Sequence, residues 1–193
     1  VQYDGAACPY APLLEKDASP RTVPEGSEVT YTYAMYNPLT TTPLTFNFSD
    51  TVDKGRTYVG STLSDTFGGT ANNYADTDTL TITNMTVPQG GSITFSVKVK
   101  IPNGLGGQTV LNQAVANNFS IPSLVAELRS DDSTTVIAGD PTAVQVTDAS
   151  ETLGTPNTGF GIITSNPLLF GGLLSVFAAG LVWLARRAHT AGQ

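Results

Sequence analysis

The chain has 193 residues, 40% of them hydrophobic and only 13% charged, with a net charge of −7, one cysteine and one histidine. An acidic surface of this kind repels nucleic acid and anionic lipid headgroups, which excludes nucleic-acid binding. The single histidine, His189, stands beside Arg186 and Arg187 in the final segment. A Ser-His-Asp triad, a His-ligated zinc and a His general base are thereby removed from everything upstream.

Residues 1–11 read as an N-terminal extension of small residues that includes Cys8. A lone cysteine gives no disulfide framework, so the fold must be held by its core or by another crosslink. A lipid anchor on Cys8 would need that residue at the mature N-terminus; a free thiol is the simpler reading. The chain starts at Val1 without a methionine, and the expectation is a cleaved secretion signal upstream or a fragment of a longer chain.

Residues 12–146 read as one all-β domain, within the usual size of a single domain. Val29, Tyr31, Tyr33 and Met35 alternate with Thr30, Thr32 and Ala34, and Ile93, Phe95, Val97, Val99 and Ile101 alternate with Thr94, Ser96, Lys98 and Lys100. Period two over this length predicts half-buried strands. Further strands are predicted at Leu44-Phe46-Phe48, Tyr58-Val59, Leu80-Ile82, Val110 to Val115 and Val144-Val146. Turn signals separate them at Pro24-Glu25-Gly26, Asn37-Pro38, Gly68-Gly69, Gln89-Gly90-Gly91 and Gly104 to Gly107. About seven to nine short antiparallel strands with this punctuation predict an immunoglobulin-like antiparallel β-sandwich, with no long helix before the C-terminal region.

Residues 147–159 form a polar linker, poor in large apolar side chains and ending in Thr155-Pro156-Asn157-Thr158-Gly159. Residues 160–185 read as a transmembrane helix. Its segment from Leu168 to Ala185 carries no charge and one hydroxyl, Ser175, and as a helix would be about 27 Å long, enough to cross a bilayer core. Pro167 is placed as a helix N-terminus, Trp183 as an interfacial aromatic, and Arg186 and Arg187 as stop-transfer charges in a basic cytoplasmic tail, residues 186–193. All sixteen acidic residues precede Gly159, and residues 1–158 hold sixteen acids against seven bases, a net −9.

The order of pentapeptide, apolar span and basic tail resembles the cell-wall sorting signal of bacterial surface proteins. In that family a Leu-Pro-x-Thr-Gly motif is cut between Thr and Gly by a sortase, which joins the chain to a peptidoglycan precursor. The resemblance implies sortase and the cell-wall precursor as partners, a membrane contact through the C-terminal helix, and a place on the extracellular face of a bacterium. Thr155 stands where the family has Leu, with Leu153 two places upstream, which leaves the sortase class open. The alternative is a plain membrane anchor preceded by an ordinary Pro-Asn-Thr-Gly turn.

A second resemblance spans about Leu13 to Phe119. Glu25-Gly26-Ser27-Glu28-Val29-Thr30-Tyr31-Thr32-Tyr33, Phe48-Ser49-Asp50-Thr51-Val52, Tyr58-Val59, Val87 to Phe95 and Leu111-Asn112-Gln113-Ala114-Val115 resemble the surface-repeat domain known as domain of unknown function 11. They also resemble the isopeptide-forming domains of Gram-positive fimbrial proteins. In those relatives a lysine on the first strand bonds to an asparagine on a late strand, with a buried carboxyl between them. The resemblance places Lys16, Asp50 and Asn112 in these three positions as an autocatalytic crosslink. A lysine attacks only when neutral, which burial favours, and a buried acid can move protons and polarise the amide carbonyl.

Pleat phase offers an independent test. Leu44, Phe46, Phe48 and Asp50 share one face, so Asp50 points at the core. Lys16 is in phase with Leu14. Asn112 stays open, because Val110-Asn112-Ala114 and Leu111-Gln113-Val115 are both plausible buried sets. The plainer readings are Asp50 as a turn former, Lys16 as a surface residue, Asn112 as a backbone cap, or a buried Lys16–Asp50 ion pair without a covalent bond.

Asp76-Thr77-Asp78 after Asn72-Asn73, and Asp131-Asp132, offer oxygens of the kind calcium takes, but without full ligand spacing; solvated turns are the expectation and no metal or cofactor is implied. Asn47-Phe48-Ser49, Asn84-Met85-Thr86 and Asn118-Phe119-Ser120 match a glycosylation pattern by chance. Tyr31, Tyr33, Tyr36 and Tyr58 offer aromatic faces for a sugar, although the alternation assigns Tyr31 and Tyr33 to the core. Lys98 and Lys100 lack the surroundings of a pilin's acceptor lysine. The reading is therefore a non-enzymatic structural or adhesive surface protein with an unknown extracellular ligand. The alternatives are a membrane-tethered ligand-binding module and a pilus subunit.

Overall fold

The computed structural model describes residues 11–149. Thirteen strands follow one another there: β1 (Leu13–Ser19), β2 (Thr22–Pro24), β3 (Glu28–Tyr36), β4 (Leu44–Thr51), β5 (Thr57–Tyr58), β6 (Thr70–Ala71), β7 (Thr79–Val87), β8 (Ser92–Lys100), β9 (Thr109–Asn112), β10 (Ala114–Asn117), β11 (Glu127–Arg129), β12 (Asp131–Asp132) and β13 (Thr142–Thr147). No helix occurs among the described residues, and so none there is long and apolar enough to cross a membrane. The expected span at 160–185, the motif Thr155 to Gly159 and the extension up to Tyr10 lie outside the described residues.

Two five-stranded sheets face each other. One has the order β12-β1-β3-β8-β5 and the other β11-β10-β4-β7-β6, while β2-β13-β9 forms a smaller third sheet. The alternation in sequence becomes alternation in burial. Val29, Tyr31, Tyr33 and Met35 of β3, and Ile93, Phe95, Val97 and Val99 of β8, point inward. They meet Leu44, Phe46 and Phe48 of β4 and Leu80, Ile82, Met85 and Val87 of β7 in one apolar cluster. Aromatic contacts bridge the layers: the Tyr33 ring lies edge-on to Phe48 at 4.9 Å, and Phe48 edge-on to Phe95 at 5.0 Å. This is an all-β sandwich of the immunoglobulin-like kind.

Three details depart from the sequence reading. The pairings β1–β12 and β2–β13 are parallel, although the remaining ones are antiparallel. More strands form than the seven to nine expected, because two- and three-residue pieces such as β5, β6 and β12 carry too few residues to show a period. The run Val110 to Val115 is two strands. The chain leaves the β13 partner at Asn112 and joins β4 at Ala114, passing from the small sheet to a large one without breaking its alternation.

One edge of each large sheet, at β5 and at β6, is covered. Past the two-residue partner β5, the amides of Ser96 and Lys98 on β8 donate to Ser64 Oγ at 2.9 Å and Thr62 Oγ1 at 3.1 Å. On β7, beyond β6, the Thr81 amide donates to Asn72 Oδ1 at 3.0 Å. On these two sides, side chains thus take the place of a neighbouring strand and leave little open ladder for another chain.

Candidate functional site

The inward register of β4 carries Asp50 into the core beneath Phe48, and that of β1 brings Lys16 in between Leu14 and Ala18. Lys16 lies directly across from Tyr33 on β3. The side chains of Lys16 and Asp50 are both 0% exposed, and Lys16 Nζ donates to Asp50 Oδ2 at 2.8 Å. Asn112, buried at the end of β9, donates from Nδ2 to the same oxygen at 3.1 Å. Tyr33 Oη also donates to Asp50 Oδ2. Lys16, Asp50 and Asn112 come from three different sheets and meet at one carboxylate oxygen. Asp50 Oδ1 has no hydrogen-bond partner among the described residues.

For Asn112, Val110, Asn112, Ala114 and Ala116 form the buried set, while Leu111 is 53% exposed. The opposing Thr142 of β13 is buried and donates from Oγ1 to the Lys16 carbonyl at 3.2 Å, which ties the strand beside Asn112 to the strand of Lys16.

The surroundings set the charge state. Lys16 Nζ sits 4.1 Å above the Tyr31 ring and 5.1 Å from that of Tyr33. Burial away from water disfavours the ammonium more strongly than Asp50 favours it, and the Lys16 pKa falls from 10.5 to about 8. Burial also pushes the phenols up, Tyr31 to about 12 and Tyr33 well above its ordinary value, so both remain proton donors at neutral pH. Tyr58 Oη donates to the Asp50 carbonyl at 3.2 Å and fixes the backbone of the acid. The site is therefore a chamber shielded from solvent, holding an amine that can become neutral, an acid that receives three donors, and a primary amide.

Residues 12–123 match a family described as Domain of unknown function (DUF7933). The chain belongs to this family. The match is to that family and not to domain of unknown function 11, the surface repeat that the sequence resembles. No curated protein matches the chain. Among solved structures it is similar to the major pilin subunit of Bacillus cereus, at 14% identity and a TM-score of 0.49 over 71% of this chain and 40% of that one. It is also similar to the N-terminal domain of the Streptococcus gordonii adhesin Sgo0707, at 15% identity and 0.47 over 70% and 32%. The full-length major pilin SpaD of Corynebacterium diphtheriae gives 19% identity and 0.46 over 62% and 33%. This chain spans less than half the length of each of these structures.

In this DUF7933 domain the other singled-out residues separate. Tyr31, Tyr33 and Tyr58 are wholly buried, so with only Tyr36 exposed the four form no sugar platform. Asp131-Asp132 is not a solvated turn. Asp132 is buried and takes a fork from Arg21, with Nη1 to Oδ2 at 2.8 Å and Nη2 to Oδ1 at 2.7 Å, which holds its carboxyl well below the usual range. Asp76 occupies a turn at φ 58°. Lys98 is half-exposed and pairs with Glu28 at 3.2 Å. No cluster of three or more metal-ligating side chains forms among the described residues. Sequence reasoning missed Arg56, which is fully buried beside the site. Flanked by Asp53, Lys54 and Gly55, it carries every sign of a solvated turn and no sign of burial.

Proposed function

We propose that this chain is a structural or adhesive module of the bacterial surface whose sandwich locks itself with an amide between Lys16 and Asn112. The observation that carries the reading is the convergence of an amine and a primary amide on one carboxyl oxygen, Asp50 Oδ2, in a buried core. Surface residues do not assemble in this way, and a buried lysine is costly unless it is used or paired.

The chemistry balances without an oxidant or a cofactor. Proton transfer from Lys16 Nζ to Asp50 leaves a neutral amine and a carboxylic acid. The amine lone pair adds to Cγ of Asn112 while the acid supports the carbonyl oxygen. A second proton passes from Nζ through Asp50 to Nδ2, the Cγ–Nδ2 bond breaks, and ammonia leaves. One side-chain amide remains and Asp50 ends protonated. Tyr33, a donor throughout, stabilises the carboxyl while its proton is away.

The intact mass of the purified domain is expected to be about 17 Da below that of the sequence, the loss of one ammonia. Asp50→Ala is expected to restore the full mass. A full mass in the unaltered protein sinks the crosslink and leaves a buried Lys16–Asp50 ion pair, the second reading that the 2.8 Å contact supports.

The place of action rests on the order of Thr155 to Gly159, the apolar span 160–185 and Arg186-Arg187 in the sequence. In this reading sortase cleaves between Thr158 and Gly159 and joins the domain to a peptidoglycan precursor, so the chain acts as a fixed, non-enzymatic element. Release of the protein from cells by muralytic digestion but not by detergent is the expected result. Detergent extraction of the full-length chain would instead favour a membrane-tethered binding module, and a ladder of covalent multimers a pilus subunit.

A further inference from the structure

Arg56 is fully buried, and its guanidinium touches a neighbour of each partner of the crosslink, Tyr31 beside Lys16 and the Leu111 carbonyl beside Asn112. Nη1 donates to Tyr31 Oη at 3.2 Å, and the Tyr31 ring is the surface over which Lys16 Nζ lies at 4.1 Å. Nη2 donates to the Leu111 carbonyl at 2.9 Å, which belongs to the peptide that carries Asn112. Nε donates to the Asp53 carbonyl at 3.1 Å, and Nη2 also contacts the Asp53 carboxylate. A guanidinium cannot give up its charge in a protein, and its planar fork fixes directions that an ammonium would not.

We infer that Arg56 is a positioning residue for amide formation, holding the Asn112 peptide in place while its fixed positive charge disfavours the Lys16 ammonium. This inference rests on the crosslink reading above. The charged and titratable groups facing Lys16 are Asp50 from β4, Tyr31 and Tyr33 from β3, Tyr58 from β5 and Arg56 from the turn before β5; on β12, Asp132 is occupied by Arg21. Among the charged groups of the described residues, Asp50 favours the protonated amine, as do the Tyr31 and Tyr33 ring faces, and Arg56 is the cation opposing it. Asp53 offsets this effect only in part, because its side chain is 64% exposed to water while that of Arg56 is 0% exposed.

Two roles are thus combined in one side chain, and two substitutions separate them. Arg56→Lys keeps the charge and loses the fork; Arg56→Gln loses the charge and keeps a donor. Chains isolated unfolded in denaturant are diluted into buffers spanning about pH 6 to 10, and the ammonia loss is followed by intact mass against time. Arg56→Lys is expected to slow the reaction roughly tenfold with an unchanged pH midpoint. Arg56→Gln is expected to slow it and to move the midpoint upward by roughly one pH unit. In an Asn112→Ala background, where no bond can form, NMR titration of the Lys16 side chain is expected to show the same upward move on Arg56→Gln. Equal midpoints for Arg56→Gln and the parent in both measurements, with only a fall in melting temperature, would overturn the inference and leave Arg56 a structural residue. Failure of the unaltered protein to lose ammonia at any pH strikes the crosslink reading itself. In that case the Lys16 titration still decides whether Arg56 acts on the amine. Should Arg56→Gln not fold, Tyr31→Phe cuts the link from guanidinium to ring while keeping the ring; an unchanged rate in both Tyr31→Phe and Arg56→Lys overturns the positioning role.

Discussion

Asn112→Ala is the cleanest perturbation of the candidate site, because it removes the electrophile and leaves the Lys16–Asp50 ion pair and the Tyr33 donor in place. A bond from Lys16 to Asn112 closes a loop of about 100 residues, and by chain entropy a crosslink of that span stabilises by about 5 kcal/mol. For a domain of this size such a loss lowers the melting temperature by about 15 °C. The assay is calorimetry on Asn112→Ala and the parent at one pH, with intact mass measured on the same samples. A difference of only a few degrees together with a parent that has lost ammonia would refute the entropic reasoning. The same small difference with a parent of full mass would remove the bond.

In the Asn112→Ala protein the folded Lys16 amine is expected to titrate at about 8, as burial places it in the parent fold, against an ordinary 10.5. Between these values the unfolded chain binds the extra proton, so stability rises with pH across that window, by about 3 kcal/mol in total, and is lost again as pH falls through 8. Urea melts at pH 7 and pH 10.5 check this, and equal midpoints would show a lysine that ionises freely. Asp132→Ala leaves Arg21 with Asp17 alone and is expected to cost about 2 kcal/mol by chemical denaturation. Val110→Ser is expected to destabilise by about 2 kcal/mol, whereas Leu111→Ser, on the exposed face of the same strand, changes stability by less than about 0.5 kcal/mol.

The long strands were legible because β3, β4 and β8 each bury one face, and period two survives in their sequences. The switch of sheets at Gln113 was not, since Val110 to Ala116 alternates without interruption and a period cannot say which neighbour a strand pairs with. The phase of β4 was enough to place Asp50 inward. For Asn112 two apolar sets competed, and exposure of Leu111 rather than of Val110 could not be read from residue type. Arg56 and Asp132 were invisible for a common reason: charged side chains inside turn-like sequence are normally solvated, and their burial depends on partners distant in the chain, Leu111 and Arg21.

The parallel pairing of β2 with β13 sets how the domain answers to force. Val23 lies beside Val146 and the Glu25 amide donates to the Thr147 carbonyl at 2.9 Å, so the first and last parts of the fold run side by side in one direction. A pull that separates the two ends draws these strands in opposite senses along their common axis. Their hydrogen bonds then share the load at once, in shear, instead of opening one after another as a hairpin does when peeled. Rupture under such a load is governed by the unfolding barrier. A module joined to its neighbours at both ends would therefore carry tension along this parallel seam.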